Sequence, residues 1–231
     1  MPETMNQVRY IDLHLMDYKQ AWDYQQEIQN RLIQEKISGS GSGELPCLIF
    51  VEHPHVYTLG KSGKENNLLI NDKFLESIQA AYYKTDRGGD ITYHGPGQIV
   101  GYPVFDLDQM KTGVKGYISR LEDAIISTLE GYGIASGRLP GATGVWIEPG
   151  KPGSQRKICA IGVKVSRGIT MHGFALNVNT NLSYFNHINP CGFTDKGVTS
   201  MEKELGKTVN FEEVKGKLRS KIALEFGLTL T

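Results

Sequence analysis

Cys191 lies in the stretch "INPCGF", with a proline on one side and a glycine on the other. Pro190 interrupts regular strand pairing just before it and Gly192 frees the backbone just after it, so the thiol is expected on a shaped loop, where reactive groups tend to sit. At its ordinary pKa of about 8.5 a thiol is only a few per cent thiolate at neutral pH, and as a nucleophile it needs an activator. His94, His172 and His187 are available by residue type, and a lysine ammonium can also do it by stabilising the thiolate. Without such a partner Cys191 is only a turn cysteine. The other two thiols read differently. Cys47 sits in "LPCLIFVEH" and Cys159 in "KICAIGVKV", apolar runs that imply buried, inert side chains.

A second cluster lies in "DRGGDITYHGPGQ". Its glycines allow backbone N–H groups to approach a ligand closely, Arg87 adds a fixed cation, and His94 adds a group that titrates or hydrogen-bonds. Two tight turns around an ordinary strand, with Arg87 in a surface ion pair, explain the same residues equally well. No Lys-Ser/Thr follows the glycines, and the dinucleotide fingerprint is absent, as is a G-x-S-x-G elbow. Lys157 opens the strand-like "KICAIGVKV", whose alternation places Lys157, Cys159 and Ile161 on one face. A lysine in that position is ordinarily just solvated. Metal binding has little support: among the six histidines only His53 and His55, in "HPH", are closely spaced, and no further ligand stands at a recognised interval.

The elements that must position these groups follow from periodicity. "VRYIDLHL" alternates as a strand, and Asp17 caps a helix to about Ile37 carrying Tyr18, Ala21, Trp22, Ile28 and Leu32. A Gly/Ser run over 38–44 reads as a flexible surface loop. "NDKFLESIQ" predicts a short helix and "AAYYKTD" a strand. The glycine block holds two strand-like pieces. From Val114 to Leu129 one apolar stripe marks the clearest helix. Between Gly144 and Asn179, β-branched runs broken by glycines predict an antiparallel meander, and a last helix runs from about Asn210 to Phe226. Strand clusters separated by helices, without regular alternation, favour an α+β single domain over 1–231.

Composition narrows the function. With 25 basic and 25 acidic residues the formal net charge is zero, which argues against a nucleic-acid partner. Three scattered cysteines cannot form a disulfide framework. The start has no signal-like pattern, and no apolar run is long enough for a bilayer. A soluble cytoplasmic protein, without membrane association and monomeric, is the expectation.

"RGGDITYHGPGQIVGYP", "KICAIGVKVSRGITMHGFALNVN" and "INPCG", in that order, resemble the lipoyl(octanoyl) transferase family, and "EHPHVYTLG" resembles its upstream segment. The resemblance implies an α+β fold similar to the class II synthetase-like catalytic fold of biotin and lipoate ligases, with mixed sheets flanked by helices. It also implies transfer of an octanoyl group from acyl carrier protein to a lysine of lipoyl domains, those of 2-oxoacid dehydrogenase complexes and of the glycine-cleavage H protein. Neither cofactor nor metal is implied. The resemblance gives Cys191 the role of acyl-thioester nucleophile and Lys157 that of lowering its pKa. Substrate contacts would fall on Arg87, Gly88, Gly89, Asp90, Ile91, Thr92, Tyr93 and His94, on Ala160, Ile161 and Gly162, and on Gly173, Phe174 and Ala175. An ATP-dependent ligase of the same fold, a non-catalytic module binding acyl carrier protein or lipoyl domains, and a cysteine hydrolase are the alternatives.

Overall fold

The computed structural model describes residues 7–39, 43–189 and 196–231. The alternating segment near its start forms β1 (Gln7–Leu15), and the Asp17 carboxylate accepts the N–H groups of Lys19 and Gln20 to open α1 (Tyr18–Ser38). The helix therefore takes in Ser38 and ends on Gly39 in the left-handed conformation; residues 40–42 of the Gly/Ser run lie outside the described residues. There follow β2 (Cys47–Glu52), β3 (Val56–Leu59), α2 (Asp72–Ser77) capped by Asn71, β4 (Ala81–Lys84), β5 (Ile91–His94) and β6 (Gln98–Val104). After α3 (Val114–Glu130) come β7 (Gly137–Leu139), β8 (Ala142–Ile147), β9 (Arg156–Ser166) and β10 (Ile169–Asn177). The chain closes with β11 (Gly197–Val198), α4 (Met201–Leu205), α5 (Phe211–Phe226) capped by Asn210, and β12 (Thr229–Leu230).

Among the described residues nine strands form one mixed sheet in the order β12-β1-β2-β6-β10-β9-β8-β7, with β11 added alongside β9. The meander expected after Gly144 is its antiparallel half, β8-β9-β10. A smaller sheet, β4-β3-β5, stands apart. The large sheet is covered on both faces, which is why β2 reads as a continuous apolar run. Leu48 and Phe50 face a core shared with α3 and α5, while Cys47, Ile49 and Val51 face a second core under α1. Val100, Tyr102 and Val104 of β6 share the α1 side. A third apolar cluster, built on Tyr57, Ile91 and Tyr93, holds the small sheet together. Not every expected stripe residue is inside: Val114, at the exposed start of α3, remains 43% accessible. No helix among the described residues is long and apolar enough to cross a membrane.

Candidate active site

Where α1 stops covering the large sheet, the small sheet takes over, and a cleft of about 250 Å³ lies between them. Its floor is Val100 and Tyr102 of β6, Ala160–Gly162 of β9 and Gly173–Ala175 of β10; its roof is Ile91, Thr92 and His94 of β5 with the preceding loop. Arg87 holds that loop in shape. Its guanidinium is buried, not on the surface, and donates to Thr58 O at 2.6 Å, Thr58 Oγ1 at 3.0 Å, Asp90 O at 2.7 Å and Gly88 O at 3.0 Å. The loop is also tied to the floor, since Gly88 N–H donates to Val163 O at 2.9 Å. Glycine is required directly beneath: a Cβ on Gly162 would lie 2.6 Å from Gly88 O. Of the residues implicated by family resemblance, Arg87, Gly89–Thr92, His94, Ala160–Gly162 and Gly173–Ala175 line the cleft. Gly88 is in the loop tie, and Tyr93 turns its hydroxyl toward His55 at 2.8 Å in the third cluster.

Lys157 also lines the cleft, its Nζ 4.7 Å from the centre of the Trp146 ring. It does not share a face with Cys159. The β8–β9 register pairs Val145 with Cys159 but Trp146 with Lys157, so one extra residue of β9 is inserted at Ile158. Both Ile158 and Cys159 consequently enter the core with α3 and α5, and the Lys157 side chain is left on the cleft side with Ala160 and Gly162. Gly144, at φ +118° opposite this bulge, has no room for a Cβ, which would lie 2.5 Å from Cys159 O. Cys159 and Cys47 are both buried, as their apolar runs imply, and burial pushes the Cys159 thiol well up and Cys47 up to about 12. Cys191 lies outside the described residues. On either side of its segment, Asn189 N–H donates to Asn67 O at 2.8 Å, and Lys196 and Gly197 line the cleft before Val198 pairs with Lys157. Asn67 also binds both carboxylate oxygens of Asp90 through its side chain, at 2.9 and 2.8 Å.

The histidines divide by environment. His94 is buried, donates Nδ1–H to Gln98 Oε1 at 2.8 Å, and is pushed down to about 3 by burial, with His53 adding to the effect. Gln98 Nε2 in turn donates to Asn177 Oδ1, and Asn177 Nδ2 to Thr199 O, beside the Thr199 N–H that bonds Lys157 O. A neutral ring locked into such a chain shapes a wall better than it accepts protons. His53 donates Nδ1–H to Met16 O and accepts the Tyr102 hydroxyl at Nε2, and burial takes it down to about 4. His55, its neighbour in "HPH", instead stacks on Tyr184 at 4.1 Å, so the two rings point apart. His172 donates Nε2–H to Asp86 at 2.8 Å, and its burial outweighs the attraction of that carboxylate and lowers its pKa. Among the described residues no group of three or more histidines, cysteines or carboxylates could hold a metal.

The cleft also contains Tyr18, Tyr102 and Trp146, which nothing in the pattern of residues separates from core aromatics, and Gln98 and Asn177, which bond each other across 79 positions.

A mixed-sheet α+β scaffold with this cleft defines a class. The family model described as the lipoyl protein ligase A/B catalytic domain matches residues 17–223, and the chain belongs to that family. Within it, an octanoyltransferase from Cytophaga hutchinsonii is 53% identical, over 97% of this chain and 95% of its own. One from Christiangramia forsetii is 54% identical over 92% of each chain. The fold is similar to that of lipoate-protein ligase A solved with ATP, at a TM-score of 0.71 and 15% identity, covering 97% of this chain and 87% of that one.

Proposed function

We propose that this protein is an acyltransferase that carries an octanoyl group from acyl carrier protein to a lysine of a lipoyl domain, through a thioester on Cys191, as one catalytic domain working in the cytoplasm. The observation that carries the reading is Lys157, turned by the β9 bulge into the lining of an apolar cleft beside Ala160 and Gly162, in a chain whose octanoyltransferase relatives share half its sequence. Cys191 enters through the sequence motif, with its flanking residues Asn189 and Lys196 anchored near the same cleft.

In the first step the Cys191 thiolate, stabilised by the Lys157 ammonium, attacks the carrier thioester carbonyl. The carbon–sulfur bond to the carrier breaks, and its thiolate leaves with the proton from Lys157. One thioester replaces another, at little net free-energy change. In the second step the amine of the acceptor lysine attacks the acyl-enzyme, Lys157 takes the amine's proton, and the Cys191 thiolate departs as the amide forms. No ATP is consumed, because the thioester already stores the energy. Each tetrahedral oxyanion needs donors, a role that falls to backbone N–H groups of the glycine-rich turns. The neutral His94 shapes the pocket.

The test is the intact mass of wild type and Cys191→Ala after mixing with octanoyl-acyl carrier protein without ATP. A single hydroxylamine-labile octanoyl adduct on wild type, absent from the variant, is expected. No adduct on either, with activity only once ATP and a free fatty acid are added, would replace the reading with that of a ligase.

A further inference from the structure

The cleft has a chemical end at Lys157 and a closed end elsewhere. Just past Gly162 the Gly88–Val163 hydrogen bond fastens roof to floor, so a chain lying on Ala160 and Gly162 cannot continue along β9. It must turn across the sheet toward β6. There the β10–β6 register sets Phe174 against Gly101, which brings Tyr102 level with the Gly162–Gly173 pair. Tyr102 is thus two strands across from β9 and about five residues beyond Lys157, roughly 10 Å by 16 Å. Tyr18, the first residue of α1, closes the same corner.

This corner is held by hydrogen bonds and ring contacts, and the nearby Arg87 guanidinium is turned onto Thr58, Asp90 and Gly88. The Tyr102 hydroxyl donates to His53 Nε2 at 2.8 Å, and His53 is anchored in turn on Met16 O at 2.7 Å. The Tyr18 ring stacks on His94 at 5.8 Å and on Tyr83 at 5.7 Å, and meets His53 edge-on at 5.2 Å. Both imidazoles are held neutral by burial, so a wall that includes two histidines still accepts a methyl terminus.

We propose that Tyr18 and Tyr102 form the end wall of the acyl groove and set the longest chain the enzyme accepts. The proposal rests on the acyl-transfer reading above and adds the residues that measure the substrate.

The experiment follows acylation of the enzyme by intact mass, with hexanoyl-, octanoyl-, decanoyl- and dodecanoyl-acyl carrier protein in separate single turnovers. Wild type is expected to favour octanoyl. Tyr102→Ala opens the corner and should move the preference to ten or twelve carbons, with each newly buried methylene worth about fourfold in relative rate. Because that change also removes the donor to His53, Tyr18→Ala tests the same wall with the Tyr102–His53 donor and acceptor both left in place. Ala160→Val raises the floor midway and should move the preference toward hexanoyl. If wild type takes up no acyl group of any length, the acyl-transfer reading falls and the proposal with it. If wild type takes up octanoyl but the folded Tyr18→Ala and Ala160→Val variants keep its order of chain lengths, the wall has been misplaced and only this proposal falls.

Discussion

Alkylation can show whether one thiol among three is set apart for chemistry. At pH 7.5 a group raised to about 12, as Cys47 is, has a thiolate fraction of about 3 × 10⁻⁵, against about a tenth for an ordinary thiol at 8.5. Reaction with iodoacetamide should therefore be roughly three-thousandfold slower at Cys47 than at a free thiol from ionisation alone. Cys159 is raised further, and both side chains are inaccessible, so the reagent must also wait for the core to open. On the proposed mechanism the Lys157 ammonium favours the Cys191 anion, and this thiol should react at least as fast as a free one. The assay is intact mass with time, followed by peptide mapping: one label, on Cys191, with Cys47 and Cys159 modified only after denaturant is added. Prior incubation with octanoyl-acyl carrier protein should block that label. Early modification of Cys47 or Cys159 in the folded protein, or a Cys191 slower than free cysteine, would refute the reasoning.

On the proposed mechanism Lys157→Arg keeps a cation for the thiolate but cannot readily release or take up a proton; the carrier thiol, acidic enough to leave as its anion, should still be displaced, while transfer to a lipoyl-domain lysine slows by at least a hundredfold in single-turnover measurements. Near-native transfer would remove Lys157 as the proton acceptor. His53 and His94 are buried neutral with pKa values lowered to about 4 and about 3, so the unfolded chain binds protons that the folded one refuses. Their contribution is fully present above the unfolded value near 6.5 and is lost as pH falls toward 4; urea titrations should show stability dropping by up to about 2.7 kcal/mol per pH unit near pH 5, two protons at 1.36 each. A flat profile between pH 6.5 and 4.5 would contradict their burial. Gly162→Ala drives a Cβ against Gly88 O and should cost about 1–3 kcal/mol of stability, with loss of acylation as the loop lifts; an unperturbed melting temperature would show that loop and floor are not in contact there.

Helix caps, apolar stripes and strand runs were legible because they depend on neighbours in the chain: Asp17, Asn71 and Asn210 each cap the helix their position implies. The cleft-lining blocks were legible through motif resemblance. What stayed hidden depends on contacts across the fold. A bulge is a mismatch between two strands and leaves no trace in one of them, so regular alternation put Lys157 and Cys159 on the same face. Arg87 looks like a surface charge until the Thr58 and Asp90 carbonyls converge on it. His94 reads equally as a group that titrates or one that hydrogen-bonds, because its burial depends on Tyr18, His53 and Thr58, which lie far off in sequence. Short pieces such as β7, β11, β12 and α4 owe their shape to the edges they lie against, and carry little pattern of their own.

The inserted residue of β9 has a consequence for how such chains are compared. In an unbroken strand, parity decides which residues are companions, and a lysine at 157 would look out with 159 and 161. With one residue inserted, its companions become 160 and 162, the two small side chains on which an alkyl tail can lie. What sets the cation over those two residues is therefore an interval, three positions and then two, rather than any single residue type. Deleting Ile158 would remove the bulge yet keep Lys157 on the side of Ala160 and Gly162, whereas flattening the bulge with every residue retained would part the cation and the tail's resting place to opposite sides of the sheet.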